Sequence, residues 1–479
     1  MENQSTKHSP HMLNRMNVHP LAERFDSKLL LRHEIPLPNH TLQRLISEKV
    51  IHTEQSIIRF RGRIKCMRCG NENKKTFAHI PCARCCKTHH YCRQCIEMGR
   101  VLTCEPLYYV KDLERNVQRI PSACQWQGKL TDAQQKAADR IIEAIDKKEK
   151  ELLIWAVAGS GKTEVLFPSI EYALAKGYRT CVATPRADVV RELLPRLEEA
   201  FPRVLIDGLY GGASKSESGA QLVVATTHQL IRFKHSFQLM IIDEIDAFPY
   251  TDDPMLPFVT KRARKQSGTT VYLTATPRKD LQKRVRRKQL PHIFIPVRYH
   301  NHPLPVPQLI SDYSLKKQLN KNDVPTVIFK FLHNRDVSSR QLLIFVPTIK
   351  MAEHLRPLLI KECIRRKLIK NADEIASVHA EDELREQKVE RFRRKEIQLL
   401  ITTTILERGV TFPSVDVIVL CADHVVFDEA ALVQIAGRAG RSVNDPKGHV
   451  LFVHSGRTHA LDEAVQSIKQ MNRRGGFLL

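Results

Sequence analysis

Leu152-Leu153-Ile154-Trp155-Ala156-Val157-Ala158-Gly159-Ser160-Gly161-Lys162-Thr163 is an apolar run of strand length that empties into a glycine-rich turn. The residues behind it are able to start a helix, and strand, glycine-rich turn and helix together are the context that a phosphate-binding loop requires. In such a loop Gly159 and Gly161, with Ala158 and Ser160 completing the cradle, let backbone N–H groups approach phosphate oxygens with no Cβ in the way. Lys162 then neutralises the β- and γ-phosphates of ATP, and the Thr163 hydroxyl ligates Mg2+. The place usually held by a first glycine is taken by Ala156, on the strand edge of the loop.

Downstream, Leu239-Met240-Ile241-Ile242 reads as a second buried strand and ends in Asp243-Glu244-Ile245-Asp246. A strand end holds Asp243 rigidly near the magnesium, acting mainly through metal-bound water, while Glu244 polarises an attacking water. The expectation puts this acidic pair on a strand neighbouring that of the phosphate loop. Thr274-Ala275-Thr276-Pro277 also follows an apolar strand, where its hydroxyls are placed to sense the γ-phosphate and pass its state to the basic run that begins at Arg278. Gln434-Ile435-Ala436-Gly437-Arg438-Ala439-Gly440-Arg441 sets two arginines three apart, on one face if the segment is helical. An arginine supplied from a facing domain stabilises the spreading charge of a phosphoryl transition state, so Arg441 reads as the finger, Arg438 as its support and Gln434 as part of the same catalytic set. Thr402-Thr403-Thr404-Ile405-Leu406-Glu407-Arg408-Gly409-Val410-Thr411, after the strand at 399–401, suits a loop that grips phosphates of ATP or of a nucleic-acid track.

In this order the segments resemble motifs I, II, III and VI of superfamily 2 helicases. The resemblance implies that Leu130-Thr131-Asp132-Ala133-Gln134-Gln135 is the adenine-reading segment, with Gln134 as the base contact. It also makes 183–186, 226–229 and 345–348 track-binding or domain-coupling elements.

The surrounding texture agrees. Apolar runs at 152–157, 180–184, 222–226, 239–242 and 271–273 alternate with helical stretches, and repeated strand then helix means a parallel sheet covered on both faces. A second alternating block has strand candidates at 341–346, 399–403, 415–420 and 449–453. The fold class is therefore α/β: two RecA-like parallel-sheet domains in tandem, over 125–300 and 325–479. Prolines at 291, 296, 303, 305 and 307 set a linker over 301–324. An N-terminal extension over 1–60 carries a short helical pattern at 42–50 and no motif, and a cysteine-rich zinc module occupies 61–105.

Composition narrows the function. With 479 residues, 42% hydrophobic and 27% charged, the chain is a multidomain globular protein, not a disordered one. Its 76 Lys and Arg against 52 Asp and Glu leave a net charge of +24, which a polyanionic partner explains most simply. The positive charge clusters at 278–288 and 261–265. No run approaches the roughly 20 apolar residues of a membrane-spanning helix, and Met1 to Pro10 has no apolar signal core, so a cytoplasmic location is expected.

Eight of the 12 cysteines crowd between Cys66 and Cys104, which reads as metal ligation and not as disulfides. Cys66-x-x-Cys69 and Cys92-x-x-Cys95 each can grip one metal through a turn, and together they complete the tetrahedral thiolate site typical of structural Zn2+. A third pair, Cys82-x-x-Cys85, lies between them, with Cys86, His89, His90 and Cys104 nearby, so the ligand choice stays open and a second zinc is allowed.

A zinc module ahead of a helicase core, with Tyr91-Cys92-Arg93-Gln94-Cys95 leading to Met98-Gly99-Arg100-Val101, resembles the ComFA family, late-competence ATPases of transformable Gram-positive bacteria. Further similar stretches are 153–157, 241–250, 377–382 and 402–410. The resemblance implies Cys66, Cys69, Cys92 and Cys95 as the zinc ligands. It implies single-stranded DNA as the track and import of transforming DNA as the task. It also implies association with other competence proteins and the membrane DNA-uptake channel, from the cytosolic face. Two alternatives remain: an RNA or replication-type DNA helicase, and a DNA-binding scaffold that uses ATP as a clamp without translocation.

Overall fold

The computed structural model describes Phe25 and residues 27–110, 118–212, 219–334 and 340–477. The expectation for Met1 to Pro10 lies outside the described residues. The N-terminal part contains β1 (Leu29–Leu30), β2 (Ile51–Glu54), β3 (Ile57–Phe60), β4 (Arg63–Cys66), β5 (Phe77–Pro81), β6 (Thr88–Cys92), β7 (Val101–Leu102) and β8 (Leu107–Val110). These form a small sheet ordered β1-β8-β2, a hairpin β3-β4 and a sheet β5-β6-β7, with antiparallel pairing throughout. Because β8 returns to pair with both β1 and β2, the cysteine-rich stretch is an insertion between strands of one small sheet.

The first lobe is a seven-stranded sheet of β9 (Glu151–Ala156), β10 (Thr180–Thr184), β11 (Ile206–Leu209), β12 (Leu222–Thr226), β13 (Phe237–Asp243), β14 (Arg264–Thr274) and β15 (His292–Ile295). Its order is β11-β12-β10-β13-β14-β9-β15, every pair parallel. The second lobe is a six-stranded sheet of β16 (Gln308–Ser311), β17 (Gln341–Phe345), β18 (Ile375–Val378), β19 (Leu399–Thr402), β20 (Val415–Val419) and β21 (Val450–His454), ordered β16-β21-β20-β17-β19-β18 and again parallel. Central strands are apolar on both faces because helices cover both: Leu239, Met240, Ile241 and Ile242 are all fully buried. The two RecA-like parallel sheets are thus present, with a cysteine-bearing unit before them.

Three local expectations differ from the structure. The acidic strand β13 is not beside β9, since β14 lies between them. Pro291 and Pro296 do not interrupt the first lobe. They flank β15, an edge strand, and there proline contributes its carbonyl: Leu153 N–H donates to Pro291 O at 2.9 Å. Likewise the stretch expected as a linker over 301–324 carries β16, which Pro305 and Pro307 precede and which pairs with β21 as the edge of the second sheet.

Candidate functional site: the cleft between the lobes

A cavity of about 500 Å³ opens between the lobes at the ends of the strands. One wall is the phosphate-binding loop. Val157 to Gly161 turns tightly, with Ser160 N–H donating to Val157 O at 3.2 Å, before the helix Lys162–Ala175 begins. Gly159 and Gly161 have φ of +78° and +72°, the left-handed region that glycine enters without strain. Ala158, Gly159, Gly161, Lys162 and Thr163 all line the cavity, while Ser160 is buried behind it.

Asp243 and Glu244 form the floor. Burial pushes both carboxyls up, and Lys162 and Arg408 oppose this, so the pair sits where positive charge is needed to keep it ionised. Glu244 N–H donates to Asp243 Oδ1 at 2.9 Å, fixing the first carboxylate. Gln434, Arg438 and Arg441 complete the site from the second lobe, together with Gly409, Val410 and Thr411. The structure therefore brings the ATP-site residues expected from sequence to one cavity or its immediate backing.

Their local geometry is not always the expected one. The helix Glu429–Ala436 stops before either arginine, so Arg438 and Arg441 project from the turns that follow and do not share a helical face. Gln134 caps the helix Asp132–Asp146, accepting from Thr131 N–H at 2.8 Å, and its amide donates to Ser160 O at 2.8 Å. It thereby braces the phosphate loop, and a Cβ at position 161 would overlap its amide. Thr274 and Thr276 do not line the cavity. Both hydroxyls donate to Asp246, the Thr274 bond being 2.6 Å, and Asp246 in turn pairs with Arg408 of the second lobe. The basic run at 261–265 is only partly available to a track, since Arg262 is spent on the carbonyls of Phe233, Ile231, Met67 and Arg68.

Sequence reasoning missed Trp126 and Lys129, which also line the cavity. Trp126 packs edge-on against Phe167, at 5.5 Å between ring centroids, and so presents an aromatic wall beside Gln134. One of only two tryptophans, eight residues before Gln134, was a usable signal.

Several polar atoms around the cleft, Ser160 Oγ, Gln434 Nε2 and Glu244 Oε2, are buried without a hydrogen bond among the described residues. Such orphans are costly unless something else satisfies them, and a phosphate chain with its metal and water supplies the missing donors and acceptors. The residues thus fit ATP and Mg2+, with Thr163 and Asp243 lining the same cavity as the phosphate loop.

The lobes approach closely here. At Gly437 a Cβ would overlap the Cβ of Ala158. We expect Gly437→Val to hold the lobes apart and lower ATP turnover about 10²-fold, as small misplacements of reacting groups do. Turnover within twofold of the parent, at an unchanged melting temperature, would show that this approach is dispensable.

In the N-terminal unit the Sγ atoms of Cys66 and Cys95 are 3.7 Å apart and those of Cys69 and Cys92 are 3.6 Å apart. All four lie within 4.8 Å of one another and are buried. A zinc–sulfur bond of about 2.3 Å gives tetrahedral sulfur–sulfur edges of about 3.8 Å, so the cluster is compatible with zinc and leaves no open position. These cysteines pack in one core with Met240, Ile242 and Leu256 of the first lobe. Gln94 adds a 3.0 Å hydrogen bond to Asp253, and Arg68, fully buried, pairs with Glu34 at 2.8 Å. The cysteine unit is therefore docked on the back of the strand that ends in Asp243. Among the described residues no helix is long and apolar enough to cross a membrane.

Comparison with known proteins agrees with this geometry. Residues 13–109 match the competence protein ComFA N-terminal domain, residues 127–279 the type III restriction enzyme res subunit, and residues 323–443 the helicase conserved C-terminal domain. Among solved structures, the Mycobacterium smegmatis helicase Lhr bound to single-stranded DNA and AMP-PNP superposes with a TM-score of 0.52 at 18% identity. That match covers 73% of this chain and 50% of Lhr, and it shows the shared fold alone. Competence protein ComFA of Streptococcus pneumoniae is 36% identical over 417 residues, 87% of this chain and 92% of that protein. Competence protein ComFA of Bacillus subtilis is 43% identical over 453 residues, 94% of this chain and 95% of that protein. A two-lobed helicase core with a four-cysteine unit at its back, matched along nearly its whole length, places this chain in the ComFA family of competence proteins.

Proposed function

We propose that the chain is an ATP-driven translocase on single-stranded DNA that powers import of transforming DNA. The observation that carries this reading is the cleft, where Lys162 and Glu244 of one lobe face Arg438 and Arg441 of the other across a space of nucleotide size. The family supports competence as the setting, and the net charge of +24 supports a polyanionic track.

On this reading Trp126 stacks on the adenine and Gln134 stays near enough to read its edge. Lys162 and the backbone of Ala158 to Gly161 bind the β- and γ-phosphates. Mg2+, held by Thr163 and Asp243, supplies neutralisation of the phosphate oxygens. Glu244, kept basic by burial, orients the water and takes its proton, while Arg441 and Arg438 neutralise the charge that spreads over the γ-phosphoryl oxygens. Release of phosphate removes what bridges the lobes, and alternating closure and opening ratchets a strand gripped through its backbone. The four-cysteine unit, filled with Zn2+, acts as a rigid support, not as a catalyst. The chain works from the cytosolic side of the uptake channel with other competence proteins.

The deciding measurement is ATP turnover alone, with single-stranded DNA, with duplex DNA and with RNA of equal length. We expect single-stranded DNA to stimulate most, and the effect to weaken steeply with salt. Greater stimulation by RNA would replace this reading with an RNA helicase. Turnover indifferent to all three would remove the motor and leave an ATP-gated binding scaffold.

A further inference from the structure

The cysteines left over by the four-thiol cluster are not scattered. Cys82, Cys85 and Cys104 place their Sγ atoms within 4.8 Å of one another, with Cys82 and Cys104 3.7 Å apart. That last distance equals the Cys66 to Cys95 separation of the first cluster and matches the sulfur–sulfur edge of about 3.8 Å expected around zinc.

The backbone repeats the first cluster as well. In the turn Cys66-Met67-Arg68-Cys69-Gly70, Gly70 N–H donates to Cys66 O at 2.8 Å, Cys66 N–H donates to Asn71 O at 2.9 Å, and Gly70 has φ +77°. In the turn Cys82-Ala83-Arg84-Cys85-Cys86, Cys86 N–H donates to Cys82 O at 2.9 Å, Cys82 N–H donates to Lys87 O at 2.9 Å, and Cys86 has φ +53°. Both turns therefore close with the same pair of hydrogen bonds and the same left-handed fifth residue. At Cys86 that conformation is borne by a side chain that disfavours it, which needs a compensating constraint.

The candidate fourth donor is a histidine that neighbours Cys85, lies outside the 4.8 Å cluster of the three thiols and completes the site by a small shift towards it. His89 Nε2 lies 2.9 Å from Cys85 Sγ, and its Nδ1 is 3.1 Å from Thr103 Oγ1. A hydrogen bond at one ring nitrogen that fixes the other towards the metal is the usual support for a metal-bound histidine. His90 is engaged elsewhere, against Arg59 and the ring of His79. The hairpin tip has little apolar cover of its own, since Cys85 and Cys86 are exposed, and a metal does there what a core cannot.

We propose that Cys82, Cys85, Cys104 and His89 form a second structural zinc centre, tying the tip of the β5–β6 hairpin to the turn between β7 and β8. The ion pair Arg84 to Glu105, at 2.5 Å, joins the same two segments. The site is independent of the nucleotide cleft and of the reading given to it.

The test is metal content of the full-length protein purified under reducing conditions, with Co2+ reconstitution as an optical probe. Wild type is expected to hold two zinc ions per chain. Cys82→Ser/Cys85→Ser and, separately, Cys104→Ala are expected to hold one, with the thiolate-to-cobalt absorption reduced to that of the four-thiol site alone and unchanged ATP turnover. His89→Ala should release its second ion to a chelator at least tenfold faster than wild type. One zinc per chain in wild type overturns the proposal without reference to any variant, and so do two ions that persist in both cysteine variants.

Discussion

Arg441→Ala is expected to lower DNA-stimulated ATP turnover by roughly 10³-fold or more while changing nucleotide affinity only a few-fold. The reason lies in what Arg441 does not do. Its Nε donates to Gly437 O at 2.9 Å and Nη1 reaches Thr411 Oγ1 at 3.4 Å, but among the described residues no carboxylate forms an ion pair with it. Burial lowers its pKa, with Glu192 and Glu244 opposing, yet guanidinium remains protonated at any working pH. A half-buried cation held only by neutral acceptors is available to charge that appears transiently, which is where electrostatic preorganisation acts most strongly. Arg438 donates its Nε to Glu407 O at 3.0 Å, and Arg438→Ala should have the smaller effect. Arg441→Lys should recover little, because one ammonium cannot replace a planar fork. Single-turnover hydrolysis with pre-bound ATP checks this directly; an Arg441→Ala rate within tenfold of the parent would assign the role elsewhere.

The second large effect is at Arg408. This side chain is 3% exposed and pairs across the lobe boundary with Asp246, through Nη2 and, at 3.2 Å, through Nη1. Burial pushes the Asp246 carboxyl up, but Arg408 and the hydroxyls of Thr274 and Thr276 outweigh it and hold it at about 2. A carboxylate so depressed contributes fully above its unfolded-chain value of about 3.9 and loses its contribution only as pH falls towards 2. The contact is therefore constant across working pH. Removing Arg408 leaves Asp246 buried with two hydroxyls, and Arg408→Ala should cost about 3–5 kcal/mol of lobe association. We expect a clear fall in melting temperature and loss of DNA stimulation, since Thr274, Thr276 and Asp246 link the Asp243–Glu244 strand end to the opposite lobe. Arg408→Met with Asp246→Leu should recover much of the stability but not the stimulation. If Arg408→Ala melts and responds to DNA as the parent does, the pair is not the coupling element.

Much of this protein was legible because its motifs are local. A glycine-rich turn between an apolar strand and a helix, or two carboxylates at a strand end, can be recognised from a dozen consecutive residues. Arg408 illustrates the opposite case. It sat inside a stretch read as a phosphate grip, and its partner is 162 residues away, where no spacing rule reaches. The two hydroxyls at 274 and 276 were visible, but hydroxyls beside a nucleotide site and hydroxyls holding a buried aspartate look alike in a chain. The arginine pair reached the cleft for a reason other than its spacing, since the helix stops before it. Proline misled at β15 and β16, because an edge strand tolerates it at its ends whereas a central strand does not.

Sequence by itself determined the fold class, and it picked out the lysine, carboxylates and arginines that the structure gathers at one cleft and the four cysteines that it clusters, because each rests on residues close together in the chain. The tertiary structure alone decided the rest: that Trp126 walls the cleft, that Asp246 joins Arg408 across it, that the cysteine unit backs the strand ending in Asp243, and that Cys82, Cys85 and Cys104 converge. These are contacts between distant segments. They exist only after burial of apolar strands and helices has fixed which surfaces face each other, and that free energy is non-directional and leaves no local mark in the sequence.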